Sequence, residues 1–157
     1  MTRVGDEINR AKNDGATPLS IASQNGHEKV VEYLAIVGAE VNRATNDGRT
    51  ALYVASANGH QKVVKYLVTV GTEINRADND GWTPFHIASQ NGQETVVEYL
   101  VTVGAEINCA DNDAQTPLHI ASLNGHEKVV KYLATVGAEI NRGDNDGRTP
   151  LHVASRN

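Results

Sequence analysis

The segment NDGWTPFHIASQNG, residues 79–92, decides the fold, because closely similar strings recur at 46–59 and 112–125. Asn-Asp pairs recur at one fixed interval, at 13–14, 46–47, 79–80, 112–113 and 145–146. A period of this kind indicates a repeat architecture rather than one globular core. One array, 1–157, therefore divides into a partial unit 1–11, complete units 12–44, 45–77, 78–110 and 111–143, and a partial unit 144–157.

Local signals in the third unit predict a turn followed by a short helix. The Asp-Gly pair ending at Gly81 is a turn signal, because glycine accepts a positive φ. Thr83 is a good N-cap, and Pro84 suits the first helical position, where its missing N–H has no helical partner anyway. The first helix is therefore predicted from about Pro84 to Gln90, where an Asn-Gly pair ends it.

A second helix is predicted in the same unit, from about Glu94 to Val103, because apolar residues recur there at helical spacing. Residues 105–108 are then predicted to be extended and to return to the next turn. One helical hairpin cannot bury its apolar face alone, but stacked neighbours can. The expected fold is an elongated, mostly helical α-solenoid with no single globular core.

Three strings, T-P-x-H-x-A, N-G-H-x-x-V-V-x-Y-L and V-G-A-E-I-N, resemble ankyrin repeats over the whole chain. The resemblance implies a curved array of β-hairpin/α-hairpin repeats with a concave face. It also implies a non-catalytic protein-protein interaction scaffold that binds its partner through the hairpin tips and the concave face of the first helices.

Two rows of positions change from unit to unit and are the candidate partner-binding positions. By the ankyrin resemblance they line the hairpin tips and the concave groove. Trp82 is the foremost candidate, since Trp is enriched among residues that dominate interface energy; the alternative is that its ring packs on the neighbouring hairpin. Phe85 is grouped with it as a departure from the scaffold. The candidates are Arg49, Trp82, Gln115 and Arg148 at the tips, and Gln24, Ala57, Gln90 and Leu123 on the first helices.

No group of residues indicates catalysis, a cofactor or a metal. His86, His119 and His152 are equivalent residues of successive units, so their backbones should lie ~8–10 Å apart, too far to share one zinc ion. The resemblance assigns them a structural hydrogen bond around the T-P-x-H turn. Cys109 replaces an arginine and is expected to be exposed, without a histidine partner. The chain is therefore predicted not to be an enzyme.

Asparagines and acidic residues also recur once per unit. By the ankyrin resemblance, Asn42, Asn75, Asn108 and Asn141 are candidate substrates of an asparaginyl hydroxylase. The turns carry an acidic row, for which a solvated edge is the simpler interpretation and a basic partner the alternative. The row is Asp14, Asp47, Asp80, Asp113 and Asp146.

Composition narrows the choice of partners and compartments. The net charge of −5 leaves no basic excess to neutralise phosphates, so nucleic acid is not an expected partner. The single cysteine excludes an intrachain disulfide, and the absence of an N-x-S/T sequon favours an intracellular, cytoplasmic protein. The lack of a long apolar run predicts no membrane insertion. Leu151 and Val153 are expected to lack a covering helix. The alternative function is therefore a structural or elastic spacer of a larger protein, self-associating end to end.

Overall fold

The structure is a computed structural model that describes residues 2–155, with side chains from residue 5 onward. Over that part the secondary structure is helical and contains no strand, and short first helices alternate with longer second helices. The helices are α1 (Thr2–Ile8), α2 (Pro18–Gln24), α3 (Glu28–Ile36), α4 (Ala51–Ala57), α5 (Gln61–Thr69), α6 (Pro84–Gln90), α7 (Glu94–Thr102), α8 (Pro117–Leu123), α9 (Glu127–Thr135) and α10 (Pro150–Ala154).

The first helices begin where their capping residues predict. The Thr83 hydroxyl accepts the backbone N–H of His86, Pro84 is the first residue of α6, and Gly92 follows the helix with φ of +64°. The helix has the predicted bounds, and α7 ends one residue before the predicted Val103. Local sequence therefore determines where these helices start and stop.

The predicted β-hairpin is reduced to a tight turn. In the third unit the Gly81 N–H donates to the Asp78 carbonyl at 3.0 Å, and the Asp78 N–H donates to the Trp82 carbonyl at 2.8 Å. These bonds close a five-residue turn, and no strand flanks it in the described residues. The return segment also differs from the extended chain predicted, since residues 107–108 form a turn.

The helices stack in sequence order and bury a continuous apolar layer. The first helices of successive units pack on one another in the order α2, α4, α6, α8 and α10. The second helices α3, α5, α7 and α9 each pack on the first helix of their own unit and on the neighbouring second helices. Ala55 and Ala88 are fully buried, and such small side chains allow close approach. Phe85 is only 1% exposed and occupies the place of Leu52 and Leu118. Its assignment as a departure from the scaffold was wrong, because it fills the same core layer.

A ladder of asparagines joins the turn tips. Asn79 donates its side-chain amide to the Asn46 carbonyl at 2.9 Å, and its backbone N–H donates to the Asp47 carbonyl at 3.0 Å. The same pair of bonds recurs at Asn46, Asn112 and Asn145. The unchanging asparagine of the Asn-Asp pair is thus explained by hydrogen bonds between successive units.

Candidate protein-binding face

The open face of the first helices carries two rows of side chains. Helical geometry places residues i and i+3 on the same side of a helix, so Ile21 shares the solvent side of α2 with Gln24. Ile21, Val54 and Ile87 are half-buried, and Leu123 is 39% exposed. The second row was predicted from the sequence and the first was not, although the spacing of three residues could have revealed it. The face consists of Ile21, Val54 and Ile87 together with Gln24, Ala57, Gln90 and Leu123.

The backbone of this face is already used in stacking. The Gln24 carbonyl lies 2.9 Å from His60 Nε2, and the Gln90 carbonyl lies 2.6 Å from His126 Nε2. The Ala57 carbonyl accepts from the side-chain amide of Gln93 at 3.1 Å. Side chains, and not these carbonyls, are therefore what the face can offer a partner.

The side chain of Trp82 has features of both interpretations that the sequence left open, namely partner contact and local packing. Its side chain is half-buried, and its ring lies 6.0 Å from the ring of His86 in the same unit, tilted by 31°. Its backbone N–H donates to Asp78 Oδ1 at 2.9 Å. One part of the indole therefore packs locally, and the other part remains open to solvent.

His86 connects the tips of two successive units. Its Nδ1 accepts the Thr83 N–H at 3.2 Å, so its Nε2 carries the proton and donates to the Gln115 carbonyl at 3.3 Å. Burial lowers the pKa of His86, although the hydrogen bond to Gln115 and nearby carboxylates oppose that change. The structure thereby brings two candidates, Trp82 and Gln115, to either side of one neutral imidazole.

In the third, fourth and fifth units a buried aspartate accepts the backbone N–H groups of the turn. This aspartate was not predicted from the sequence. Asp78 Oδ1 accepts the N–H groups of Asp80 and Trp82, at 3.0 and 2.9 Å. Asp111 and Asp144 make the equivalent bonds. The signal was weak because the first two units have Lys12 and Thr45 at this position.

Both candidate arginines at the tips are engaged by these carboxylates. Arg148 lies 2.9 Å from both Asp144 and Asp146. Burial would raise the pKa of Asp144, but hydrogen bonds from the Arg148 side chain and from two backbone N–H groups lower it to about 2. Arg49 lies 3.8 Å from Asp78 and over the ring of Tyr53. Their charges are therefore largely compensated within the protein.

Tyr53 occupies the position that histidine has in the later units. It is 5% exposed, and burial followed by the charge of Asp78 raises its pKa well above the ordinary value. The phenol therefore stays protonated beside Asp78 and Arg49. With Trp82 bonded to the same Asp78, the candidates of the second, third and fourth units form one connected set.

The histidines have structural contacts. His119 repeats the arrangement of His86, with Nε2 at 2.9 Å from the Arg148 carbonyl. His60 and His126 occupy the N-cap positions of α5 and α9, but their side chains make no capping hydrogen bond. Their rings reach backbone carbonyls of the preceding unit instead. Between residues 2 and 155, no three His, Cys, Asp or Glu side chains are grouped closely enough to hold a metal ion.

Cys109 differs from both expectations made for it. Its thiol is half-buried, and Sγ lies 3.6 Å from His86 Nδ1 and 3.8 Å from the Thr83 hydroxyl. Burial raises the pKa of the thiol. The histidine was not evident from the sequence because it lies 23 residues away in the chain and 3.6 Å away in the fold.

The asparagines considered for hydroxylation link each unit to the next. Asn75 donates to the Gly104 carbonyl at 3.2 Å and accepts the Glu106 N–H at 2.9 Å. Asn108 makes the same two bonds with Gly137 and Glu139. Asn42 accepts from Glu73 at 2.9 Å, and Asn141 is exposed.

Exposed apolar residues also occur on α3 and on α10. On α3, Tyr33 is 64% and Ile36 is 78% exposed. Leu151 is 78% exposed and lines an apolar cavity of about 300 Å³ with Leu118, Val130 and Ile140. Val153, expected to lack cover, is buried at 3% exposure because its side of α10 faces α8.

Known families match nearly the whole chain. A family model described as ankyrin repeats, in three copies, matches residues 36–111 and 103–157, and a single ankyrin repeat model matches residues 14–46. No curated protein gives a significant match. The helices of residues 2–155 are all too short or too polar to cross a membrane.

Proposed function

Because this chain belongs to the ankyrin repeat family, whose repeats generally mediate protein-protein interactions, we propose that it is a non-catalytic scaffold for another protein. The partner lies across the open face of the first helices and the turn tips. The proposed contact residues are Gln24, Ala57, Gln90 and Leu123 on the helices, and Arg49, Trp82, Gln115 and Arg148 at the tips.

One observation carries this proposal, namely apolar side chains on a face that stacking leaves open. Trp82 and Ile87 are half-buried and Leu123 is partly exposed, although the core beneath them is already filled by fully buried residues. A partly open tryptophan supplies a large apolar area for a partner at low entropic cost. An evenly polar face would have favoured the spacer.

The test compares what the native chain and its variants capture from a cell extract. We expect proteins retained by the native chain to be lost with Trp82→Ala and with Leu123→Ser. Tyr33→Ala is the matched control, because it removes an exposed aromatic residue from a different face. Equal capture by the native chain and both open-face variants would argue against this face.

The alternative is a spacer whose copies associate end to end. It is favoured by the exposed Tyr33 and Ile36 on α3, in the first complete unit, and by the cavity beside Leu151 on α10. Sedimentation at high concentration tests it, with Ile36→Ser and Leu151→Ser expected to restore a monomer. A native chain that is strictly monomeric would contradict end-to-end association.

Two further proposals follow from the family. One is that an asparaginyl hydroxylase modifies the asparagines Asn42, Asn75, Asn108 and Asn141. The other is that the protein is cytoplasmic and is divided into the repeats given above. Incubation with such an enzyme should add one oxygen atom per modified asparagine, which mass spectrometry detects. An unchanged mass would contradict the assignment.

A further inference from the structure

The acidic row at the turn tips contains three carboxylates that make no hydrogen bond or ion pair within the described part of the protein. Asp14 accepts the Ala16 N–H at 2.9 Å, and Asp146 pairs with Arg148 at 2.9 Å. The side chains of Asp47, Asp80 and Asp113 are exposed, and within residues 5–155 they have neither a hydrogen bond nor an ion pair. The middle of the row, Asp47, Asp80 and Asp113, is therefore bare, meaning that these carboxylates have no bonding partner within residues 5–155.

Residues at the base of each tip make these side chains dispensable for the turn. In the second unit the Thr45 hydroxyl accepts the Arg49 N–H at 3.1 Å. In the third and fourth units Asp78 and Asp111 accept the turn N–H groups. In the first unit Lys12 occupies the equivalent position, and only there does the tip carboxylate, that of Asp14, accept a turn N–H group. Folding of the turn thus gives no reason for an aspartate at 47, 80 or 113.

The bare carboxylates are held in a fixed row. The backbone carbonyl of Asp47 accepts the Asn79 N–H at 3.0 Å, and those of Asp80 and Asp113 accept from Asn112 and Asn145 at 3.1 Å. Each carboxylate is therefore attached to a backbone that is hydrogen-bonded to the next unit. The backbone spacing of the row is therefore fixed, so that a ligand has only the side-chain rotamers to order.

Cations near the tips do not neutralise this row. Arg49 is engaged by Asp78, and Arg148 by Asp144 and Asp146. Arg43, Arg76 and Arg142 pair with Glu40, Glu73 and Glu139 at 3.5–3.7 Å. Cys109 stands where a further arginine would be, so Glu106 lacks the corresponding partner. The tips therefore keep an uncompensated negative edge, and Asp80 lies two residues before Trp82 in the same turn.

We propose that the open face binds a basic, amphipathic segment of a partner protein. Lysine or arginine side chains of that segment meet Asp47, Asp80 and Asp113, and its apolar side chains cover Trp82 and Ile87. The inference rests on the proposed function and specifies the chemistry of the partner. Complementary charge of this kind speeds encounter and selects among partners, and its effect weakens as salt is added.

Two labelled synthetic peptides test the charge requirement. They share leucine and phenylalanine positions, but one carries lysines where the other carries glutamates. We expect the lysine peptide to bind the whole chain at low salt, to bind more weakly at high salt, and to bind better than the glutamate peptide. Absence of lysine-peptide binding, or equal binding of both peptides, would overturn the proposal.

Matched variants assign the binding to the row. The variant D47N/D80N/D113N should lower affinity for the lysine peptide by about tenfold, as three exposed ion pairs suggest. The control E40Q/E73Q/E139Q removes the same charge from carboxylates that already have arginine partners, and should change affinity much less. Equal loss in both variants would show a general charge effect and overturn the proposal.

The two proposals can fail separately. If captured proteins depend on Trp82 but are retained by D47N/D80N/D113N, the basic-partner proposal fails and the scaffold proposal stands. If neither Trp82→Ala nor the triple variant changes capture, the open face itself is not the binding site. Circular dichroism of each variant confirms that the helices are intact before binding is compared.

Discussion

His126 Nε2 lies 2.6 Å from the backbone carbonyl of Gln90, so the imidazole of one unit donates to the end of a first helix in the unit before it. The ring passes over Gly92, where a Cβ atom would lie 2.5 Å from His126 Nδ1. Glycine is thus required at this helix end for two reasons, the positive φ and the space occupied by the next unit's ring.

Gly92→Ala should therefore cost more stability than Gly125→Ala. Both glycines have a positive φ, of +64° and +70°, but nothing lies within 4 Å of a Cβ built at Gly125. The strain of φ is shared, and the clash with His126 adds about 1 kcal/mol or more at Gly92 alone. Urea unfolding of the two variants measures the difference, and equal midpoints would contradict the role given to the His126 ring.

Asn79→Asp should destabilise the chain more than Asn13→Asp. Asn79 donates its amide to the Asn46 carbonyl, whereas the Asn13 side chain makes no hydrogen bond in residues 5–155. A carboxylate at 79 would place an oxygen against that carbonyl, at a cost of about 1 kcal/mol or more. Both variants add the same charge, so a similar loss of stability in each would show that the asparagine ladder contributes little.

Local signals in the sequence predict the helices well, as Thr83, Pro84 and Gly92 illustrate. Contacts between units are less predictable, because they join residues far apart in the chain. His126 is the N-cap residue of α9, yet the carbonyl that its ring contacts lies 36 residues earlier in the chain. Its role depends on how closely the units stack, which no local pattern states.

The candidate face was predicted only in part, for a similar reason. Variation between units identified Trp82 and Leu123, but it could not identify Ile87, which hardly varies and is only half-buried in the fold. Asp78 was missed because aspartate in a turn is ordinarily exposed. Here the turn N–H groups converge on its carboxylate and bury it.

Ala51→Pro should stabilise the chain. Ala51 is the first residue of α4, where α2, α6, α8 and α10 have proline, and Thr50 before it is already extended, as a following proline requires. A gain of about 0.4–1 kcal/mol is expected from the more restricted unfolded chain. Thermal melting measures it, with Pro117→Ala as the reverse change. A lower melting temperature for Ala51→Pro would refute the geometry assigned to this helix start.

Ala114→Gly should also stabilise the chain. Ala114 has φ of +59°, in the region that glycine tolerates and other residues resist, and no other non-glycine residue of the described part has a positive φ. Relief of that strain should raise stability by up to about 1 kcal/mol. Ala110→Gly, at an exposed alanine without a positive φ, should instead lower stability. The comparison fails if both changes shift the melting temperature downward.

Stability should fall below about pH 6.5, in part because of His86. Burial lowers its pKa, and its Nδ1 accepts the Thr83 N–H, so the folded state holds the neutral ring. The unfolded chain binds a proton near the ordinary histidine pKa, so acid favours unfolding, and this contribution is retained above that pH.

His86→Ser isolates this contribution, because Ser20 occupies the equivalent position in the first unit and accepts the Thr17 N–H at 2.9 Å. The variant should be less stable than the native chain at pH 7, having lost the bond to Gln115, and this deficit should shrink as the pH falls to 5. Urea midpoints at the two pH values give the deficit. Ala51→Pro, which changes no titratable group, is the control, and its effect on stability should be the same at both pH values. A His86→Ser deficit that is constant with pH would mean that the proton on His86 does not contribute to acid sensitivity.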